Sequence, residues 1–302
     1  MRVFFLSLVL SLGAFAHTDL SKTIKALSRK IAAKPSALLY LQRALEYRAL
    51  REKKHTIEDL RSALKIKPDY QTAKIALAEE MGKNDEALQL AIELSQSATA
   101  EATRLQANLL LARIHQKRDA HTEALKVCEQ LAPLAAKMPK DDTEISLLHA
   151  DILLDLNRAG EAADILKASW KRTNSIVARN NWIDTALTAG RTKELLPFIE
   201  HEFQTSRLRS SWLIRRARAL LILGKKNAAR TDLVSALLEI NPRINPNQPD
   251  LTLIADRGLI HALMENPALA RRDLTTLQKS TLPASAYRLL SDVMSEANEE
   301  PE

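Results

Sequence analysis

Few residue groupings in this sequence could do chemistry, and each one resolves into something plainer. His201-Glu202 opens like a zinc-protease helix, but Thr205 stands where the second histidine must be. Two imidazoles one turn apart are what grip the metal, so that reaction class is excluded. No GxxxxGK[ST] phosphate loop, GxGxxG turn or GxSxG elbow occurs. Cys128 is the single cysteine, which rules out a CxxC pair and an internal disulfide. It shares a helical stripe with Ala124 and Leu131 in TEALKVCEQL, with no activating pattern beside it. It reads as a small buried hydrophobe. His17 would become the amino terminus if a leader were removed after Ala16, and its amine and imidazole suit Cu(II). No second histidine is placed to complete such a site. No catalytic residue, metal or cofactor is therefore expected.

The elements that would have to position any site begin after residue 16. Arg2 precedes an apolar run through Leu12, and Ala14-Phe15-Ala16 has small residues flanking a cleavage point. This is the pattern of a secretory signal peptide, too short to span a bilayer. No later apolar run approaches that length, so no membrane span is expected. The mature chain would start at His17 and act outside the cytoplasm, periplasmic or secreted. The full chain carries 44 Lys and Arg against 37 Asp and Glu; losing Arg2 leaves a net charge of +6. The charges are interspersed, which describes a solvated surface and does not demand nucleic acid. With 6 glycines in 302 residues and 4% aromatics, β folds rich in glycine turns are disfavoured. Abundant Ala, Leu, Lys, Arg and Glu favour helix.

A pattern recurs along the chain. From Ala44, marked positions follow at Tyr47, Thr56, Leu60 and Ala63, with Pro68 closing the unit. The same offsets from Ala112, Ala150, Ile183, Ala217 and Gly258 give matching small and apolar residues, and a shortened copy begins at Ala78. These seven anchors are spaced 34, 34, 38, 33, 34 and 41 residues apart. The stretches YLQRALEYRALREKKHTIEDLRSALKIKP and LIRRARALLILGKKNAARTDLVSALLEINP show it best.

The period and pattern resemble the tetratricopeptide repeat (TPR) family, here in the form of an exported bacterial member. The resemblance covers residues 37–282. It implies an all-α fold: a right-handed α-solenoid of about seven helix-turn-helix repeats. Capping helices are expected within 17–36 and 283–302, with an acidic tail at the end. Small residues such as Ala44 with Thr56, and Ala217 with Ala229, fall where paired helices touch, and helix separation depends on the side chains at the contact. Ile183 and Leu195 replace both in the fifth repeat, which puts its packing in question. The second repeat lacks three residues, expected to come from its turn. His115, His149 and His261 fall on packing positions. Residues 284–297 are expected to turn Ala286, Leu290 and Val293 toward the array, and 241–250 reads as a surface loop.

In that family the first helix of each repeat lines a groove that holds peptides or partner helices. Carried onto this chain, groove positions include Leu41, Arg48, Arg113, Lys117, Asp151, Asp155, Asn180, Asn181, Asp184, Ile214, Arg215 and Arg218. Asn side chains can clamp a peptide backbone, and Arg can fork onto a carboxylate or phosphate. Leu41 and Leu45 stand where a carboxylate clamp would need Lys and Asn, so capture of a C-terminal tail is not expected. The implied function is a non-enzymatic protein-interaction scaffold of the cell envelope, whose partner is another protein or peptide. Docking to an anionic surface polymer or glycan is the alternative that the positive charge suggests. Oligomeric state is left open.

Overall fold

The structure is a computed structural model that describes residues 15–135, 137–280 and 282–299. Positions 1–14 of the expected leader and the last residues of the acidic tail fall outside this range. Two compact units divide the chain, Met1–Asn157 and Arg158–Glu302. All regular elements among the described residues are helical.

The first unit contains α1 (Phe15–Ala33), α2 (Ala37–Ala49), α3 (Lys53–Ile66), α4 (Gln71–Met81), α5 (Asp85–Ser97), α6 (Glu101–Lys117), α7 (His121–Ala135) and α8 (Pro139–Asp155). The starts have local causes. Ser36 Oγ accepts a hydrogen bond from Leu39 N–H, and Asn84 Oδ1 accepts one from Ala87 N–H at 2.8 Å. Such caps satisfy amide groups that the first turn leaves open. Helix α8 begins at Pro139. Proline is favoured in a first turn, where its missing N–H is not needed, and Asp141 and Asp142 complement the helix dipole there. Helix α1 packs on α2 and buries Leu27 and Ile31. Consecutive helices then pack antiparallel in sequence order, with Ala44, Leu60, Ala63, Ala73 and Leu77 at the heart of the first two repeats.

The repeat frame is visible in the backbone. Six of the turns joining first and second helices place a residue at positive φ seven positions after the anchor. These are Arg51, Asp119, Asn157, Gly190, Gly224 and Glu265. In the shortened second repeat the positive-φ residue is Gly82, four positions after Ala78. The three missing residues were therefore removed from the turn, as the spacing predicts. Only glycine adopts this conformation without strain, and Asn and Asp tolerate it better than Arg or Glu.

The second unit contains α9 (Ala159–Thr173), α10 (Ile176–Thr188), α11 (Thr192–Thr205), α12 (Ser210–Ile222), α13 (Lys226–Ile240), α14 (Leu251–Leu263), α15 (Pro267–Gln278) and α16 (Arg288–Glu299). Its core runs through Ala217, Ala229, Leu233, Ala236, Ile260, Ala270, Leu277 and Leu290. Each fully buried Leu or Ile here contributes about 1.5–3 kcal/mol. Helices α12 and α13 lie close along their length, whereas α10 and α11 approach over a short stretch only. Ile183 and Leu195, both buried, hold the latter pair apart, and Pro197 interrupts the hydrogen bonding of α11.

The C-terminal cap differs from expectation in one detail. Residues Ala284–Tyr287 form a tight 3-10 turn, and the α-helix starts only at Arg288. Ala286 is consequently exposed, while Leu290 and Met294 make the buried contact and Val293 packs at its edge. Gly258 is required beneath it. A Cβ added there would come within 2.7 Å of Leu290 Cδ2 and 3.0 Å of Asp273 Cβ. The loop 241–250 opens with a 3-10 turn over Asn241–Arg243 and ends at Asp250, which caps α14 by accepting from Thr252 N–H at 2.9 Å.

Candidate partner-binding face

Half-buried and exposed polar residues gather on the first helix of each repeat. In the first unit these are α2, α4, α6 and α8. Arg48 of α2 reaches Glu79 at 2.9 Å and Glu80 at 2.6 Å on α4, and also donates to the Ala76 carbonyl. Arg113 of α6 pairs with Glu144 of α8 at 2.6 Å, and Gln116 donates to Asp155 at 2.7 Å. Lys117 is exposed at the end of α6. Asp151 is partly buried and has a partner of its own. Leu41 is not a groove residue: it is 5% exposed and belongs to the core, while Leu38 and Leu45 on either side are exposed. The stripe is thus polar along much of its length with apolar residues at one end.

In the second unit the same face is formed by α10, α12 and α14. Asp184 on α10 accepts from two arginines of α12. Arg215 binds it in a fork at 3.1 and 2.6 Å, and Arg218 adds a contact at 2.8 Å and another to the Asp184 carbonyl at 3.2 Å. Both arginines are largely buried, and Ile214 is a core residue. Arg215 and Arg218 were expected to line the groove beside Asn180 and Asn181, but their guanidinium groups face inward onto a carboxylate of the protein itself. Asn181 donates to the Val177 carbonyl at 2.9 Å and is exposed. Asn180 is partly buried, with a side-chain oxygen that has no hydrogen-bond partner. Ile176, Val177 and Ile222 are large apolar side chains left exposed on these first helices.

A second set of charged residues escapes a reading aimed at the groove. Arg43 and Asp59 form a two-point pair at 2.7 Å, Arg216 and Asp232 one at 2.7 and 2.6 Å, and Arg257 and Asp273 one at 2.8 and 2.6 Å. In each case the arginine sits one position before the anchor and the aspartate sixteen residues later. The pair clamps the two helices of a repeat, with the carboxylate buried. Forked charge-assisted bonds of this kind are stronger than single neutral ones. The recurrence at sixteen residues was the available signal. In the fifth repeat the same two positions hold Trp182 and Phe198, whose rings meet edge to face at 5.6 Å. Trp170 stacks on Trp182 at 5.1 Å, and Phe198 reaches Trp212 at 6.4 Å.

The remaining candidates for chemistry are quiet. Cys128 is fully buried, and burial pushes its thiol up to about 12, which leaves it protonated and inert. Burial lowers the pKa of His115 and His261, and His149 is buried. No cluster of three or more His, Cys, Asp or Glu fit to hold a metal exists among the described residues. Among them, too, no helix is long and apolar enough to cross a membrane. His17 lies in the first turns of α1.

These helix pairs, their turns and their register define an all-α, TPR-like solenoid fold. A tetratricopeptide repeat protein from Parabacteroides merdae matches it with a TM-score of 0.56, at 14% identity, over 91% of this chain and 99% of that one. The TPR domain of P58(IPK) aligns over 95% of this chain and 96% of its own, at 14% identity, but with a TM-score of 0.29. BtubC from P. vanneervenii aligns over 94% and 92% at 12% identity, with a TM-score of 0.31. The last two likenesses are too loose to bear on the fold. By sequence, no family model and no curated protein matches.

Proposed function

We infer that this protein is a non-enzymatic helical-repeat scaffold, exported to the cell envelope, that holds a partner protein on the first helices of its repeats. The observation that carries this reading is the exposed apolar residues on those helices. Leu38 and Leu45 on α2, and Ile176, Val177 and Ile222 on α10 and α12, share their faces with the ion-paired and amide side chains. An amphipathic helix or extended peptide recognises such a surface through a few apolar anchors set among polar contacts. The leader-like N-terminus supports an envelope location. Direct anion capture by Arg215 and Arg218 is disfavoured, because Asp184 already occupies both. A surface-polymer role has only the mild positive charge in its favour.

The test is affinity capture from an envelope extract with the exported chain as bait. The control bait carries Leu45→Asp and Val177→Asp, two exposed positions whose change leaves the core intact. A protein retained by the first bait and lost from the second supports the reading. Equal retention by both removes the first helices as the binding face. Binding of anionic polymer alone, abolished by moderate salt, would replace the protein partner with the polymer.

A further inference from the structure

The second helices of the repeats differ in the charges they show to solvent. Helices α3, α5, α7, α9 and α11 each expose at least one carboxylate, such as Glu58, Glu86, Glu123, Asp164 and Glu194. Among the described residues, α13 and α15 expose none. Asp232 and Asp273 are turned inward onto Arg216 and Arg257. Glu239 is half-buried; it accepts from the Arg209 N–H at 3.2 Å and lies 3.6 Å from Arg243. The exposed charges on these two helices are Lys226, Arg230, Arg271 and Arg272, all positive. Arg271 has a partner of its own. Lys226, Arg230 and Arg272 form no ion pair among the described residues.

Apolar side chains stand among these cations. Arg230, Val234 and Leu238 follow one another at intervals of four, which keeps them on one side of α13. Val234 and Leu238 are exposed, and Leu238 is the most exposed large apolar side chain among the described residues. On α15, Leu269 is exposed one turn before Arg272. Stacked repeats bring equivalent positions alongside each other. Arg230 and Arg271 both stand thirteen positions after their anchors, and Leu238 and Lys279 both stand twenty-one. The loop before α12 extends the face at one end. Its Arg209 is tied to Glu239, the neighbour of Leu238, and exposed Arg207 and Leu208 precede it.

We propose that the outer face of α13 and α15 docks on the surface of an anionic phospholipid bilayer, so that the protein rests on a membrane without spanning it. The cations complement phosphate headgroups, and no exposed carboxylate on either helix opposes them. The leucines decide which anionic partner fits. A soluble polyanion offers them nothing to enter, whereas a bilayer takes leucine side chains into the boundary between headgroups and acyl chains. Each Lys or Arg close to such a surface strengthens attachment about fivefold. The hold is peripheral and weakens as salt rises. It uses second helices only, and so does not depend on a partner held by the first.

The experiment is cosedimentation of the chain from His17 onward, without the leader, with vesicles of mixed phosphatidylglycerol and phosphatidylcholine and with vesicles of phosphatidylcholine alone. The protein is expected to sediment with the anionic vesicles and to stay in solution with the neutral ones. Lys226→Gln, Arg230→Gln and Arg272→Gln together should weaken attachment about a hundredfold, and each alone about fivefold. Leu238→Ser with Leu269→Ser should weaken it about tenfold. The same loss of charge at Lys53, Lys54 and Lys65, exposed on α3, should leave it unchanged. Every altered side chain is exposed, so the fold tolerates the changes. Emission from the three tryptophans, all in the C-terminal unit, follows that fold. No attachment to anionic vesicles, equal attachment to neutral ones, or an equal loss from the α3 variant overturns the proposal. Attachment that ignores the leucine changes also overturns it, and assigns the face to soluble polyanions.

Discussion

Repeats five and six sit side by side in one unit and answer the same packing problem in different ways. In repeat six, Ala217 and Ala229 let α12 and α13 close together, and Arg216 grips Asp232 across the pair. In repeat five, Ile183 and Leu195 keep α10 and α11 further apart, and Trp182 and Phe198 fill the equivalent place with rings. The offset between positions is conserved by the turn, which puts Gly190 and Gly224 at the same point of each repeat. The backbone frame therefore sets where two side chains meet, and the residue types set whether charge or aromatic area joins them. Repeat five gains area where repeat six gains close approach.

The sharpest way to break the comparison is to remove the ring. Trp182→Ala deletes a side chain that is 5% exposed and touches Trp170 and Phe198. A loss of about 3–5 kcal/mol is expected, seen as an early urea transition with the first unit still helical by circular dichroism. Next in size is the clamp. Asp232→Ala leaves Arg216 without its partner and should cost about 2–3 kcal/mol, less than a fully buried pair because the arginine side chain is 25% exposed. Replacing both Arg216 and Asp232 with leucine should recover most of that loss, and calorimetry on the single and double variants checks it. Gly258→Ala should cost about 1–3 kcal/mol by forcing Leu290 off its seat. The smallest effect runs the other way: Glu265→Gly relieves a positive φ of 61° and should raise the melting temperature slightly, by about 0.5–1 kcal/mol of stability.

Much of the fold was legible because it is local. Anchor spacing and small residues located the seven repeats, and six of their turns fall at one fixed distance after the anchor. The short second repeat announced its trimmed turn, and Pro139 was an available start signal for α8. The C-terminal cap was harder, since a 3-10 turn over Ala284–Tyr287 and a helix of the same residues share one hydrophobic pattern. The candidate face was legible as a set of positions and not as a set of interactions. Which of Leu41 and Leu45 faces the core depends on how α2 is rolled against α4. That Asp184 takes both arginines depends on side-chain reach between repeats. Neither is written in spacing. The Arg–Asp clamps at sixteen residues were, three times over.

Exposed apolar residues occur on both helix types, and this offers the most direct test of the scaffold reading. Leu45 and Val177 lie on first helices, while Leu238, 72% exposed, lies on the second helix α13. A photo-crosslinking amino acid placed singly at each position, followed by illumination in the cell envelope, separates the two faces. The account predicts protein adducts from positions 45 and 177 and none from 238. Adducts from 238 alone would contradict it and move the partner to the second helices.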